Sequence, residues 1–375
     1  MKETMAEPRF ILAAGGTGGH LWPALSLAQA LKKARPEADC LFVGSGRPAE
    51  AAIVDPSGFR RVVLKAGGWK GMGLAARLKG LALAFCGFWE ALKILRSYRP
   101  QICFGSGGYV TVPVGLAAWF LGVPLVIHEQ NSRAGLSNKL LGRLAARVCL
   151  GFGEAAPSFP AGRTEVTGNP VRPEIAALHK IKRNFDRRPL TVLVTGGSQG
   201  ARALNMAAVP ALVGLTRRSL DINIIHQTGT ADLAEVRRGY QEAGVKAETA
   251  EFYQDMAARY QGADLVISRA GAITLSELAA ARLPAVLVPL PSAADDHQSV
   301  NARFVEAGGA AVTLPQAGLT PERLTETLER LLTAPEKLAA LSQAAADLAK
   351  LDADARLAGL CLELASVKSG RFGLT

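Results

Sequence analysis

The chain has 375 residues, of which 49% are apolar and 20% are charged, so it is long enough for two packed domains and is not a disordered protein. Its five cysteines are scattered and form no Cys-x-x-Cys pair, which argues against a disulfide scaffold or a zinc site and favours a reducing compartment. The net charge of +11 is concentrated in the first half, since residues 1–170 carry 20 Lys and Arg against 10 Asp and Glu, whereas residues 171–375 carry 23 against 22. Both nucleic acid and anionic lipid fit this imbalance as negatively charged partners of the first half.

Strands and helices alternate along the first half. Short apolar runs predict strands at 10–14, 40–44, 60–66, 102–106, 124–129, 147–152 and 164–167. Helices are predicted at 21–34, 74–98 and 138–145, and a further helix between the strands at 102–106 and 124–129. The uncharged stretch 100–127 is interrupted by glycines and prolines, so it predicts strand, loop, helix and strand rather than a membrane span. Residues 1–9 mix charges of both signs, and no signal peptide is expected there.

The second half repeats this plan. Strands are predicted at 191–195, 222–227, 247–252, 264–268, 285–289 and 311–314. Prolines and a basic run indicate a hinge at 168–189, and the alanine-rich stretch 335–364 predicts one or two helices. We therefore predict an α/β protein of two doubly wound, Rossmann-like parallel-sheet domains facing a cleft, with ligands beyond the carboxyl ends of the strands.

Three predicted strand-to-helix turns are rich in glycine, at 15–19, 105–108 and 196–200. Glycine lets backbone N–H groups approach phosphate oxygens, and a helix N-terminus favours negative charge. A dinucleotide fingerprint is not matched, because Leu21 occupies the position of its third glycine and the second strand ends at Val43-Gly44 without an acid. No P-loop sequence occurs either. The loops therefore predict a phosphate-containing ligand other than a nicotinamide or flavin cofactor, and no cofactor is expected.

Seven motifs occur along about 300 residues in an order that resembles one bacterial family. They are GGTGGH at 15–20, GSGGY at 105–109, HEQN at 128–131, GNPVR at 168–172, GGSQGA at 196–201, RAGAITLSE at 269–277 and DHQ…NA at 296–302. The sequence is similar to the N-acetylglucosaminyltransferases that transfer GlcNAc from UDP-GlcNAc to undecaprenyl-pyrophosphoryl-MurNAc-pentapeptide. The resemblance implies a GT-B fold and a metal-independent transfer that inverts the anomeric centre, the last cytoplasmic-face step of peptidoglycan precursor synthesis.

The resemblance also implies a division of labour along the chain. Residues 1–168 would form an acceptor- and membrane-facing domain, residues 169–345 would bind UDP-GlcNAc, and residues 346–375 would supply a helix that packs back on the first domain. The loop after the fourth strand would hold the acceptor pyrophosphate with Gly105, Gly107, Gly108 and Tyr109.

Carried over position by position, the resemblance implies a UDP-GlcNAc site with members from both halves. They are Thr17, Gly18, Gly19, Asn131, Arg172, Ser198, Tyr253, Ala272, Ile273, Thr274, Leu275, Ser276, Glu277 and Gln298. Arg172 and Ser198 would contact the diphosphate, and Asn131 and Gln298 the donor sugar. Glu277 would accept from two ribose hydroxyls, its charge being tolerable at a helix start. Tyr253 stands where backbone contacts hold the uracil, although the family has an aliphatic residue there.

A transfer reaction needs a base for the acceptor hydroxyl. His20 follows the first glycine loop and is the candidate general base, with Glu129 and His128 as alternatives; ordering the loop through hydrogen bonds is the competing role for His20. The one Asp-x-Asp sequence, at 352–354, lies in the alanine-rich tail and is typical of a solvated helix face, so no metal site is expected.

The basic charge around the predicted helix at 74–98 favours a membrane surface over nucleic acid. A helical stripe of leucines and phenylalanines, Phe85 among them, is mostly core, while Trp69, Met72 and Leu83 among Lys70, Arg77, Lys79 and Lys93 resemble a surface that rests on anionic lipid. We expect a peripheral enzyme on the cytoplasmic face of the inner membrane. A related enzyme with another lipid acceptor, a UDP-GlcNAc epimerase and a non-catalytic UDP-sugar sensor remain alternatives.

Overall fold

The computed structural model describes residues 7–16, 18–64, 74–197, 199–291, 293 and 296–371, with only the backbone described at 74–84 and 367–371. The chain forms two compact units. Unit 1 consists of the two segments Met1–Pro170 and Asp352–Thr375, and unit 2 is Val171–Leu351.

Unit 1 contains a seven-stranded parallel sheet with helices between the strands. Its elements are β1 (Arg9–Ala13), α1 (Gly18–Ala34), β2 (Asp39–Gly44), α2 (Pro48–Val54), β3 (Arg60–Val63), α3 (Leu74–Tyr98), β4 (Ile102–Gly105), α4 (Thr111–Phe120), β5 (Leu125–Glu129), α5 (Leu136–Gly142), β6 (Arg147–Leu150) and β7 (Thr164–Val166). The strands lie in the order β3-β2-β1-β4-β5-β6-β7, so the winding of the sheet reverses between β1 and β4.

Unit 2 contains a six-stranded parallel sheet in the order β10-β9-β8-β11-β12-β13, which reverses between β8 and β11. Its elements are α6 (Pro173–Ala176), β8 (Leu190–Thr195), α7 (Arg202–Arg217), β9 (Ile222–Gln227), α8 (Leu233–Glu242), β10 (Glu248–Ala250), α9 (Met256–Gly262), β11 (Leu265–Ser268), α10 (Ala272–Ala280), β12 (Ala285–Leu287), α11 (His297–Ala307), β13 (Ala311–Thr313), α12 (Pro321–Leu332) and α13 (Pro335–Leu348). The last helix, α14 (Ala353–Arg371), packs on α1 and belongs to unit 1.

The sheet of unit 1 is buried on both faces because side chains alternate along its strands. Ile11 joins the core that includes Leu92 of α3, and its neighbours Phe10 and Leu12 join the opposite core, which includes Leu357 of α14. No helix among the described residues combines the length and the apolar composition needed to cross a bilayer.

The predicted fold class is confirmed, and the deviations are local. The first helix begins at Gly18 rather than at 21, because the two glycines of low helix propensity concealed its first turn. Helix α2 was not predicted, since it has only seven residues, although Pro48 at its start is a helix signal. Phe85 was predicted within a mostly buried stripe, but 64% of its side chain is exposed. The side chains of the predicted membrane surface from Trp69 to Leu83 lie outside the described residues.

Candidate active site

Each sheet reverses its winding at one point, and in α/β sheets such switch points are where ligands bind. In unit 1 the strands at this point are β1 and β4, paired from Phe10 opposite Ile102 to Ala13 opposite Gly105. In unit 2 they are β8 and β11, which end together at Thr195 and Ser268. All three predicted glycine loops follow strands at these two points. The topology therefore supports the predicted positions of the phosphate-binding loops.

The glycine loops that follow β1 and β4 in unit 1 are in direct contact. The hydroxyl of Thr111 lies within hydrogen-bond distance of the carbonyl oxygens of Ala13 (3.2 Å) and Gly107 (2.7 Å), which share its single hydrogen. A Cβ atom on Gly108 would lie 2.5 Å from the carbonyl oxygen of Gly15, and Gly108 has a φ of +85°, so only glycine fits this contact. The structure thus brings the predicted Gly105–Gly108 loop against the first glycine loop, and the neighbouring Tyr109 is 45% exposed.

His20 lies in the first turn of α1, together with Gly18 and Gly19. Its Nδ1 is 3.1 Å from the carbonyl oxygen of Gly15, and its Nε2 faces Gly107, where a Cβ would be only 3.0 Å away. Because a carbonyl oxygen only accepts, Nδ1 carries the hydrogen and Nε2 of the neutral ring is the basic nitrogen. This tautomer suits the candidate base, and the ring also orders the loop. Thr17 lies outside the described residues.

Glu129 is almost fully buried at the end of β5, and its carboxylate accepts hydrogen bonds from residues that follow the strand. It accepts from the backbone N–H groups of Asn131 (3.0 Å) and Gly135 (2.9 Å), and from the side-chain amides of Asn131 (3.2 Å) and Asn138 (2.9 Å). A carboxylate has about four acceptor positions, so these four bonds fill it. Glu129 is therefore suited to orienting Asn131 rather than to accepting a proton.

His128 is fully buried, and desolvation lowers its pKa to about 4. Its Nε2 lies 3.1 Å from the carbonyl of Gly168, and Gln130 connects it to the second glycine loop through a 2.8 Å bond to the Ser106 carbonyl. These contacts hold the ring of His128 inside unit 1. Gln130 was missed by the sequence reasoning, although a polar residue just after a buried strand is the signal that identified its neighbours.

The glycine loop of unit 2 is held by a side chain from the adjacent strand. The amide of Gln227, at the end of β9, donates to the Thr195 hydroxyl and the Gly197 carbonyl, both at 3.1 Å. Its oxygen accepts from the backbone N–H of Tyr253 at 3.0 Å. Gln227 therefore links the loop to the predicted uracil position, and the sequence reasoning missed it. Ser198 lies outside the described residues.

Tyr253 is buried, with 6% of its surface exposed, and the guanidinium of Arg259 lies 4.3 Å from the centre of its ring. Burial raises its pKa to about 12, so the ring is neutral at physiological pH. Since its backbone N–H already donates to Gln227, a backbone contact with uracil would have to use its carbonyl.

The predicted nucleoside segment Ala272–Glu277 forms most of α10, so the backbone N–H groups of its first residues point out of the helix start. Glu277 was predicted at the start of this helix, but it is the sixth residue. Its negative charge is compensated by side chains rather than by the helix start. Both Nε and Nη2 of Arg172 lie 3.0 Å from its Oε1, and the Tyr260 hydroxyl donates to its Oε2 at 3.3 Å. Desolvation raises the pKa of Glu277, and Arg172 opposes that rise.

The structure thus brings together Arg172 and Glu277, which were predicted to bind different groups of the ligand. Three of the roughly four acceptor positions of Glu277 are used by Arg172 and Tyr260 among the described residues. With both partners in place, about one acceptor position of Glu277 remains among the contacts described. Tyr260 was missed because nothing in the sequence relates α9 to α10.

The predicted Gln298 lies in the first turn of α11, where its Oε1 accepts from the backbone N–H of Leu290 at 3.0 Å. Nearby, the buried amide of Asn301 donates to the Ala270 carbonyl at 3.1 Å. These bonds tie the start of α11 to the segments that follow β11 and β12. No group of three His, Cys, Asp or Glu side chains among the described residues could hold a metal ion.

Two parallel α/β units in one chain, each with a glycine loop at its switch point, are typical of the GT-B glycosyltransferases. Residues 10–150 match the glycosyltransferase family 28 N-terminal domain, and residues 191–357 match the glycosyltransferase family 28 C-terminal domain. The chain belongs to glycosyltransferase family 28.

Relatives with experimental or curated descriptions agree with this assignment. The UDP-N-acetylglucosamine–N-acetylmuramyl-(pentapeptide) pyrophosphoryl-undecaprenol N-acetylglucosamine transferase of Desulfotalea psychrophila is 42% identical over 97% of this chain and 98% of its own length. The transferase of the same name from Acidithiobacillus ferrooxidans is 44% identical over 95% and 97%. The crystal structure of Acinetobacter baumannii MurG matches with a TM-score of 0.78 and 32% identity, covering 95% of this chain and 99% of that one.

Proposed function

We propose that this chain transfers GlcNAc from UDP-GlcNAc to the 4-hydroxyl of MurNAc in undecaprenyl-pyrophosphoryl-MurNAc-pentapeptide. The observation that carries the proposal is the 42% and 44% identity, over nearly the whole chain, to two transferases named for this reaction. The geometry supports it, because loops suited to phosphate groups lie at the switch point of each sheet.

In this proposal unit 2 binds the nucleotide. The N-terminal turn of α10 holds the nucleoside, Glu277 accepts one ribose hydroxyl, and Tyr253 contacts the uracil through its backbone carbonyl. Arg172 and Ser198 contact the diphosphate. A guanidinium has five N–H donors, of which Glu277 takes two, so Arg172 can donate to the ligand without leaving its partner. Gln298 contacts the donor sugar.

Unit 1 supplies the base, the groups for the acceptor and three residues that act on the donor. His20 takes the proton of the MurNAc hydroxyl through Nε2, while Gly18, Gly19 and Asn131 act on the donor, and the Gly105–Gly108 loop with Tyr109 receives the acceptor pyrophosphate. A single displacement by that hydroxyl inverts the anomeric centre. The support for His20 is its tautomer, and the filled carboxylate of Glu129 disfavours the alternative base.

We propose that no metal ion takes part. The departing UDP would instead be stabilised by the charge of Arg172 and by oriented N–H donors, since a lost donor of this kind typically costs ~10²–10³ in rate, more than a helix dipole contributes.

Unit 1 also carries the proposed membrane surface. Four aromatic side chains of α3 and α4 are largely exposed: Phe85 (64%), Trp89 (49%), Trp119 (56%) and Phe120 (61%). Basic residues Lys93 and Arg96 lie on the same helix as the first two. Exposed aromatic side chains beside positive charge favour docking to anionic lipid, at about 1 kcal/mol for each basic residue near the surface. We propose peripheral attachment to the cytoplasmic face of the inner membrane, where the lipid-linked acceptor is held.

The test is the release of UDP from UDP-GlcNAc, with and without a short-chain polyprenyl-pyrophosphoryl-MurNAc-pentapeptide and with and without EDTA. Release that requires the acceptor and survives EDTA is expected. Loss of release in EDTA would refute the metal-free mechanism. Tight UDP-GlcNAc binding without release would refute this acceptor and favour another lipid or a sensor, whereas epimerisation of the donor without any glycosylated lipid would identify an epimerase.

A further inference from the structure

A buried carboxylate lies behind the first glycine loop. Glu50, in α2, is fully buried although no basic side chain pairs with it at salt-bridge distance among the described residues. Its oxygens accept from the Ser45 hydroxyl (2.6 Å) and from the backbone N–H groups of Ser45 (3.0 Å), Gly46 (2.7 Å) and Gly16 (3.3 Å). Burial alone would raise the pKa of Glu50, but these four bonds bring it below its ordinary value, so the group is a carboxylate at neutral pH.

One of these donors belongs to the peptide group that His20 also contacts. The N–H of Gly16 and the C=O of Gly15 are the two ends of a single peptide unit. Glu50 accepts from the N–H end at 3.3 Å, and Nδ1 of His20 donates to the C=O end at 3.1 Å. Hydrogen bonds in such a chain polarise one another, so a negative charge at one end makes the carbonyl oxygen a better acceptor at the other.

We propose that Glu50 is a positioning residue for the transfer reaction, acting on His20 through the Gly15–Gly16 peptide. The inference rests on the proposed function of His20 as the base. The carboxylate keeps Nδ1 as the protonated nitrogen, so that Nε2 accepts the proton of the acceptor hydroxyl, and it stabilises the positive imidazolium that results. The arrangement corresponds to an acid–histidine pair with a peptide group inserted between its members.

Among the described residues, two arginines lie near this relay. Arg47 precedes α2, and its guanidinium would be 3.9 Å from a Cβ at Gly16. Arg61 of β3 forms an ion pair with Asp55, and its pKa is raised by Asp55 and, to a smaller extent, by Glu50. Because both arginines are permanently charged and Glu50 is already a carboxylate at neutral pH, none of these three groups changes its charge near neutrality.

A double-mutant cycle tests the relay. His20→Ala is expected to lower kcat about 10²–10⁴-fold, and Glu50→Gln about tenfold, with the dissociation constant for UDP-GlcNAc unchanged in both. In Glu50→Gln the acidic limb of the pH–rate profile should move to lower pH, because the imidazolium has lost its negative neighbour. In the His20→Ala background, Glu50→Gln should cause no further loss. An equal loss in both backgrounds, or an unmoved acidic limb, would overturn the proposal.

Asp55→Asn is the matched control, since it removes the same charge from the turn that follows α2 without touching the glycine loop. It should retain kcat within about twofold and leave the acidic limb in place.

A second measurement requires neither a folded variant of Glu50 nor turnover. In ¹⁵N NMR spectra of the wild-type protein, with His20 assigned by comparison with His20→Ala, Nδ1 should be the protonated nitrogen of the neutral ring. Protonation at Nε2 would refute the relay even if the transferase assay succeeds, and the expected tautomer would support it even if that assay fails.

Discussion

The two switch points share a topology but are supported by different interactions. In unit 1 the two glycine loops pack backbone against backbone, with Gly108 against the Gly15 carbonyl. The buried carboxylate of Glu50 accepts a hydrogen bond from the first of these loops. In unit 2 the site is supported by side chains, namely the Gln227 amide and the Arg172–Glu277 ion pair. The stability of unit 1 should therefore respond most to added volume in its loops, and donor binding by unit 2 most to altered charge.

The largest effect on stability is expected from a methyl group at Gly108. Gly108→Ala should lower the free energy of unfolding by about 2–5 kcal/mol and abolish turnover, because the new Cβ would overlap the Gly15 carbonyl as well as force a positive φ. Gly122→Ala is the control: its φ is +65°, but nothing lies within 4 Å of the added atom, so only about 1–2 kcal/mol should be lost. Urea unfolding followed by circular dichroism measures both. Equal losses would show that close approach does not constrain this loop.

In unit 2 the corresponding change is one of charge. Glu277→Gln should weaken UDP-GlcNAc binding about 10- to 100-fold, because a charged hydrogen bond to the ribose is lost and Arg172 is left without its buried partner. Glu336→Gln makes the same charge change at an exposed position of α13 in unit 2 and should bind normally. Isothermal titration calorimetry with UDP-GlcNAc distinguishes them. Similar dissociation constants for the two variants would contradict a role for Glu277 in the donor site.

The comparison extends to the surface, since the proposed lipid contact belongs to unit 1. Replacing Phe85 and Trp89 by serine should lower binding to vesicles containing phosphatidylglycerol about tenfold or more, because both exposed rings lose their burial in lipid. Val166→Ser, at another exposed apolar position of unit 1, is the control. Sedimentation of vesicles measures the effect, and binding that is the same for both proteins would exclude this surface.

The last prediction concerns acid stability. Each unit contains a buried neutral histidine, His128 with a pKa lowered to about 4 and His226 with a pKa lowered to about 3, in both cases by desolvation. Since an unfolded histidine binds a proton near pH 6.5, the stabilisation is complete above that pH and is lost as the pH falls below it, at about 1.4 kcal/mol per pH unit for each residue.

His226→Gln should therefore reduce the pH dependence of unfolding by about one proton between pH 6 and pH 4. Urea unfolding at pH 8 gives the packing cost of the replacement, against which the acidic values are compared. His128→Gln provides the parallel measurement for unit 1. A pH dependence identical to that of the wild type in both variants would show that neither histidine controls acid unfolding.

The sequence was sufficient for the fold class because apolar runs of strand length alternate with helical stretches, and the motifs sufficed for the family. The support behind the site was not predictable from sequence. Glu50, Gln227 and Tyr260 act through contacts across 34, 26 and 17 residues, and such pairings depend on strand order rather than on local pattern. Glu277 shows the converse: its residue type pointed to the site, but its place within α10 and its pairing with Arg172 depended on tertiary structure.

The return of α14 to unit 1 has a consequence for biosynthesis. Its residues Leu357, Ala358 and Cys361 cover the same face of the sheet as Phe10 and Leu12, which are synthesised well before α14. Unit 2 is continuous in sequence, so its chain is complete while that face of unit 1 still lacks its cover. Unit 1 therefore reaches its full core only after α14 has been synthesised, and a chain terminated before α14 retains an exposed apolar face by which quality-control proteases can recognise it.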